Sequence, residues 1–263
     1  MTEPIIEDVI DVVDRPIGYQ KYGHGKHYIL GICGAVGCYK KDWPEQALQA
    51  FDASKYTIVC LDPPGYGTSR PPDRVQEVTR CKQDAKYCIE LMKKLQLTPF
   101  CVMGWSEGAR TSVHVAQQGQ KLVDRVVLMA ASTRADARGD QGFQGIKDTD
   151  LWTNEMRDKY LKFCTDDFLK VQWAALCDVI HEVFTNYSGR FPSDLILHSI
   201  KQPVLLTYGG ADKFIMDQKY FKTKIPHLKE AVHMTGGHEF YVQAPRWFAL
   251  RINEFFKETG AQF

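Results

Sequence analysis

The chain has 263 residues, 44% of them apolar and 25% charged, and 33 basic against 32 acidic side chains leave a formal charge of +1. That length fits one large α/β domain carrying an insertion rather than two domains. The balanced charge offers no electrostatic footprint for nucleic acid or an anionic lipid surface, and no apolar run reaches the ~18 residues a membrane span needs.

The chain opens MTEPIIEDVIDVVDRP, which is acidic and lacks a basic segment ahead of an apolar one, so no secretory or transit peptide is expected. Short apolar runs then alternate with longer helical patterns, the sign of a mostly parallel central sheet flanked by helices. Strands are expected at 17–22 and 27–33, a helix at 43–50 and a strand at 56–61. Over 79–95, Cys81, Ala85, Cys88, Leu91, Met92 and Leu95 recur at helical spacing, with Thr79 placed to cap. A strand at 99–104, a helix at 107–118 and a strand at 125–130 follow.

Residues 135–200 break this rhythm. They read as helices without strands and carry Phe163, Phe168, Phe184, Trp152 and Trp173. Inserted between two sheet strands, such a stretch lies over the strands' C-terminal edge, where ligands bind in open α/β sheets. It is read as a helical lid set into a core made of 1–134 and 201–263, ahead of the last two strands. Trp152 and Trp173 are expected to form the lid's own core in preference to a pocket wall. The core resumes with strands at 203–209 and 228–233 and a helix at 241–257, with Pro245 suited to an early turn. Eight scattered cysteines form no C-x-x-C pair and no zinc-like cluster, so buried, reduced, inert thiols are expected.

The strongest chemical signal is Gly104-Trp105-Ser106-Glu107-Gly108, between an apolar strand and a helical run. A serine on so tight a turn needs small flanking residues, hence Gly104 and Gly108. Its hydroxyl then sits at a helix N-terminus, whose dipole favours developing negative charge. Serine needs a base, and His238, freed by Gly236-Gly237 after the last strand, is the candidate over His233 and His227. Asp212, in the loop after the strand at 203–209, is the acid expected to orient it. Asp217 is expected to cap a helix, and Asp136 is a rival acid. The order Ser106, Asp212, His238 suits a nucleophile elbow on a parallel sheet. Two amides should hold an oxyanion: Glu107, after the nucleophile, and Ala35, in the loop Cys33-Gly34-Ala35-Val36-Gly37.

The G-W-S-E-G elbow, the loop Asp62-Pro63-Pro64-Gly65-Tyr66-Gly67-Thr68-Ser69-Arg70-Pro71-Pro72-Asp73-Arg74 and the stretch Gly145-Ile146-Lys147-Asp148 through Trp152 together resemble the valacyclovir hydrolase (biphenyl hydrolase-like) family of α/β-hydrolases. The resemblance runs from the early strands to His238. It implies the α/β-hydrolase fold and hydrolysis of α-amino-acid esters under a helical lid. In that family an Asp directly after the nucleophile reads the substrate's ammonium group. The matching residue is Glu107, one methylene longer, and a favourable charge in the first helical turn is its other reading. Gly108-Ala109, then Arg110, stand where the family has a glycine pair. The family is associated with mitochondria; with no transit peptide in view, a cytosolic, intracellular location is expected.

The expected activity is a serine esterase acting through an acyl-enzyme on a small-molecule ester. No cofactor or metal, no nucleic-acid or membrane partner, and a monomeric state are expected. C–C bond hydrolysis or a general carboxylesterase on the same fold is the alternative, and a non-catalytic binding protein a lesser one. A carboxylate at Glu107 would favour a cationic substrate and repel an acidic dienoate.

Overall fold

The near-continuous apolar runs become the interior of one sheet. The computed structural model describes residues 3–262. Its strands are β1 (Ile5–Val12), β2 (Arg15–Tyr22), β3 (His27–Ile32), β4 (Tyr56–Leu61), β5 (Phe100–Trp105), β6 (Val123–Met129), β7 (Val204–Gly209) and β8 (Lys229–His233). They lie in the order β1-β2-β4-β3-β5-β6-β7-β8. The β1–β2 and β2–β4 pairs are antiparallel and all the others parallel. The expected fold class is borne out.

Parallel strands covered on both faces must be apolar at every position. All residues of β4 and β5 are buried accordingly. The period of two then divides them between two cores. Val59 and Leu61 join Ala85, Leu91, Met92, Val113 and Ala116 from helices Arg80–Lys94 and Glu107–Gln118. Ile58 and Cys60 face the other way, onto Trp43, Phe248, Ile252 and Phe256.

Four local expectations change. β1 has no counterpart among the expected strands, because its sequence IIEDVIDV is largely exposed at the sheet edge and wholly buries only Val12. Its register comes from β2, through a tight hairpin in which Val12 faces Arg15 and Val13 adopts a positive φ of 61°. The helix expected at 241–257 is two, Phe240–Gln243 and Pro245–Glu258. Proline disfavours helical backbone at the residue before it, and Ala244 sits at φ −134°, ψ 63°. Pro44 similarly restricts the helix expected at 43–50 to Glu45–Leu48. Thr79 occupies the cap position of its helix without capping it, its hydroxyl donating to Glu77 instead.

Between β6 and β7 the chain forms helices Ala137–Gly145, Asn154–Leu161, Asp166–Asn186 and Pro192–Leu195 and no strand. Their apolar side chains cluster with Val36, from the loop after β3, and Tyr66, from the loop after β4. Trp152 and Trp173 meet edge to face with ring centroids 4.8 Å apart, and both indole N–H groups donate to the Ile146 carbonyl, at 2.8 and 3.0 Å. All eight cysteines are free thiols, and only Cys164 is less than buried. Among the described residues no helix is long and apolar enough to cross a membrane.

Candidate active site

β5 ends in the predicted elbow. Ser106 has φ 54° and ψ −115°, a strained backbone for a non-glycine residue. Its amide is anchored to the Met129 carbonyl of β6 at 2.8 Å. The flanking glycines are required by contact: a Cβ on Gly104 would lie 2.1 Å from the Gly108 carbonyl oxygen, and one on Gly108 would lie 2.5 Å from that of Ile32. Helix Glu107–Gln118 starts directly after the serine.

The loops after β7 and β8 bring two more predicted residues to the same point. His238 Nε2 lies 3.0 Å from Ser106 Oγ, and His238 Nδ1 lies 2.7 Å from Asp212 Oδ2. The Asp212 side chain is wholly buried, and its other oxygen accepts from the Phe214 amide at 2.8 Å. The imidazole is held between Trp105 and Phe214, with ring centroids 5.1 and 5.2 Å away, and Trp105 Nε1 donates to the His238 carbonyl. The rival acid Asp136 is occupied elsewhere, accepting from Gly139 N at 2.8 Å as the N-cap of helix Ala137–Gly145. Asp217 stands ahead of helix Gln218–Lys224 but caps nothing; it pairs with Arg190 at 3.1 Å. His233 packs on Trp247, and His227 meets the Gln202 carbonyl.

The amides of Ala35 and Glu107 have no hydrogen-bond acceptor among the described residues. Ala35 borders the same cavity as Ser106, and Glu107 opens the helix, where the first amides lack intrahelical partners. The neighbouring loop is fixed from beneath by a residue that carries no motif in the sequence. Buried Asp42 accepts from Gly34 N at 2.8 Å and pairs with Lys41 at 2.5 Å. Gly34 has to be glycine, since a Cβ there would lie 2.7 Å from the Trp105 ring.

The Glu107 carboxylate does not border the cavity. Arg80 holds it through two hydrogen bonds, at 2.5 and 3.1 Å, and Arg74 stands 3.7 Å away, itself paired with Asp84. Burial alone would raise the carboxyl pKa; the two guanidiniums outweigh it and hold Glu107 below the ordinary glutamate range. The side chain is thus held by an internal arginine in this structure. Glu107→Gln strands the Arg80 guanidinium in the interior and should cost about 3 kcal/mol. Urea unfolding at neutral pH measures that loss. The pair's contribution is fully present above the ordinary glutamate pKa of about 4.3 and is lost as pH falls through the lower folded value.

Ser106 and His238 open onto a cavity of about 330 Å³. Phe143, Ile146, Met156, Trp173 and Ile180, from the helices between β6 and β7, supply much of its apolar wall. Trp173 thus serves the cavity and the helical core at once, whereas Trp152 serves only the core. The charged residues at the cavity are Arg110, Arg134, Lys159 and Glu239, the last two 3.4 Å apart. Sequence reasoning assigns Arg110 no role. Its spacing is the available signal, since a residue four past the serine lies on the same helical face one turn on. Among the described residues no group of three or more His, Cys, Asp or Glu side chains is placed to hold a metal ion.

Residues 28–166 match the family model described as alpha/beta hydrolase fold. The chain is 30% identical to the mouse serine hydrolase BPHL over 197 residues, 75% of this chain and 67% of that one. It is 28% identical to the human serine hydrolase BPHL over 232 residues, 84% of this chain and 79% of that one. Among solved structures, a meta-cleavage product hydrolase superposes with a TM-score of 0.76 at 19% identity, covering 96% of this chain and 98% of that one.

Proposed function

The chain belongs to the alpha/beta hydrolase fold family and is a hydrolase, and we propose that it cleaves a carboxylic ester through an acyl-enzyme on Ser106. The observation that carries this reading is the continuous contact from Asp212 through His238 to Ser106, at 2.7 and 3.0 Å, opening onto an apolar cavity.

Ser106 Oγ attacks the ester carbonyl while His238 Nε2 takes its proton. Asp212 holds the imidazole with its proton on Nδ1 and stabilises the imidazolium. The amides of Ala35 and Glu107 meet the oxyanion of the tetrahedral intermediate, with the helix dipole adding to them. His238 then protonates the departing alkoxide. A water, deprotonated by His238, attacks the acyl carbonyl, and the second tetrahedral intermediate collapses to release the acid and restore the serine. Residues 135–200 act as the lid, whose apolar wall excludes bulk water from these steps.

A preference for α-amino-acid esters needs an anion facing the substrate. Glu107 is spent on Arg80, and Glu239, the one acid at the cavity among the described residues, already faces Lys159. The decisive comparison uses benzyl esters of alanine and valine against those of the same acyl chains without the amine. The amino esters are expected to hold no advantage beyond about tenfold (about 1.4 kcal/mol), with the ratio unchanged in Glu107→Gln. An amine preference that Glu107→Gln erases would reinstate the amino-ester reading. Wild-type protein that neither cleaves any of these esters nor reacts with a fluorophosphonate would overturn the esterase itself. A second reading, C–C bond hydrolysis of an acidic substrate, is favoured by the cations at the cavity.

A further inference from the structure

Arg110 is the only arginine among the described residues that is not exposed and yet makes no hydrogen bond or ion pair. Arg15, Arg74, Arg157 and Arg251 share its unpartnered buried Nε, but each reaches a carboxylate through another atom or at longer range. Arg110 is half-buried with its Nε wholly buried, and a guanidinium partly withdrawn from water without an ion pair is costly, so one retained at a cavity wall calls for a ligand. Burial pulls the Arg110 pKa below the ordinary guanidinium value. At Arg80 burial acts in the same sense, but the Glu107 carboxylate outweighs it and the pKa rises.

Its surroundings prepare it for a planar anion. The guanidinium carbon lies 3.7 Å from the centroid of the Phe191 ring. A cation–π contact of this kind uses none of the guanidinium's N–H donors. The acid that acts on it most strongly is Asp194, which caps the Phe191 amide at 2.8 Å and makes no ion pair with it. Burial pushes Asp194 up to about 7, so at neutral pH it is a partial counter-charge. Glu107 is committed to Arg80. At the cavity itself Arg134 adds a second, exposed cation, while Lys159 and Glu239 offset each other.

We propose that the substrate carries a carboxylate and that Arg110, one helical turn beyond Ser106, binds it bidentately while Ser106 acts on an acyl carbon further along the same molecule. This rests on the proposed hydrolysis at Ser106 and adds the class of its substrate: acidic esters, of which hemiesters of dicarboxylic acids are the simplest. It reverses the expectation drawn from the acidic residue after the nucleophile, because that residue is ion-paired with Arg80 whereas Arg110 makes no ion pair.

The test pairs monobenzyl succinate, glutarate and adipate with benzyl esters in which a methyl ketone replaces the carboxylate. At least one hemiester should exceed its ketone partner by roughly tenfold or more in kcat/KM, chiefly through KM. Arg110→Gln should cost that hemiester roughly tenfold more than its ketone partner, and Arg110→Lys should restore part of the difference. No preference in any pair, or an equal loss on both members, would overturn the proposal. Calorimetric binding of monobenzyl glutarate to Ser106→Ala, with and without Arg110→Gln, separates the two readings. Arg110-dependent binding without wild-type turnover would sink the esterase and leave the anion site standing; Arg110-independent binding would sink the anion site whatever the turnover. If Asp194→Asn fully offsets Arg110→Gln in both stability and turnover, Arg110 is only the counter-ion of Asp194 and the proposal fails.

Discussion

Replacing Ser106 with Ala is expected to lower ester turnover by about a million-fold in kcat and to abolish fluorophosphonate labelling, while the protein stays folded. The magnitude follows from losing the attacking oxygen while keeping everything else. The Ala35 and Glu107 amides, the cavity and the His238–Asp212 pair all remain, so a residue of catalysis over water survives. Folding should be unaffected, because the positive φ at position 106 is imposed by the close packing of Gly104 and Gly108, and alanine bears it no worse than serine. Turnover of a benzyl ester, the labelled fraction and the thermal midpoint are the three readouts. Activity within about tenfold of wild type would move the nucleophile elsewhere. The other serine bordering the cavity is Ser132, whose hydroxyl already donates to the Met216 carbonyl and accepts from the Met216 amide.

The second large effect belongs to the buried acid. Asp212→Asn is expected to reduce kcat by about ten-thousand-fold with little change in KM. The asparagine keeps the shape of the site but can offer its amide N–H to His238 Nδ1. That forces the ring proton onto Nε2, so the nitrogen 3.0 Å from Ser106 Oγ becomes a donor and can no longer accept the serine's proton. The Phe214 amide still finds an acceptor at position 212, so the loop should hold its conformation. Asp136→Asn is the matched control. Its carboxylate caps a helix, asparagine caps comparably, and turnover should stay near that of wild type. A small effect at Asp212 together with a large one at Asp136 would exchange their assignments.

Much of the fold and of the candidate site is legible in the residues themselves. A parallel strand buried on both faces has no choice but to be apolar throughout, so β3 to β7 announce themselves in the order they occupy along the chain. The elbow is legible for a related reason: the backbone carbonyls that crowd Gly104 and Gly108 leave no room for a Cβ, and that constraint is written as two glycines either side of one serine.

What periodicity cannot report is which neighbour a helix face will meet. Chain order alone puts Glu107 directly after the serine and Arg110 one turn on. Only the packing of helix Arg80–Lys94 against helix Glu107–Gln118 places the Glu107 carboxylate on Arg80 and leaves Arg110 without an ion pair. Trp152 and Trp173 are likewise indistinguishable as apolar positions until their helices are placed over the sheet, which turns Trp173 to the cavity. β1 shows the opposite limit: with little to bury, its position is set by the partner strand it pairs with rather than by any pattern of its own. Local sterics and burial are properties of a residue and its near neighbours in the chain, whereas charge pairing is a property of elements brought together from far apart, and the substrate preference proposed for this site belongs to the second kind.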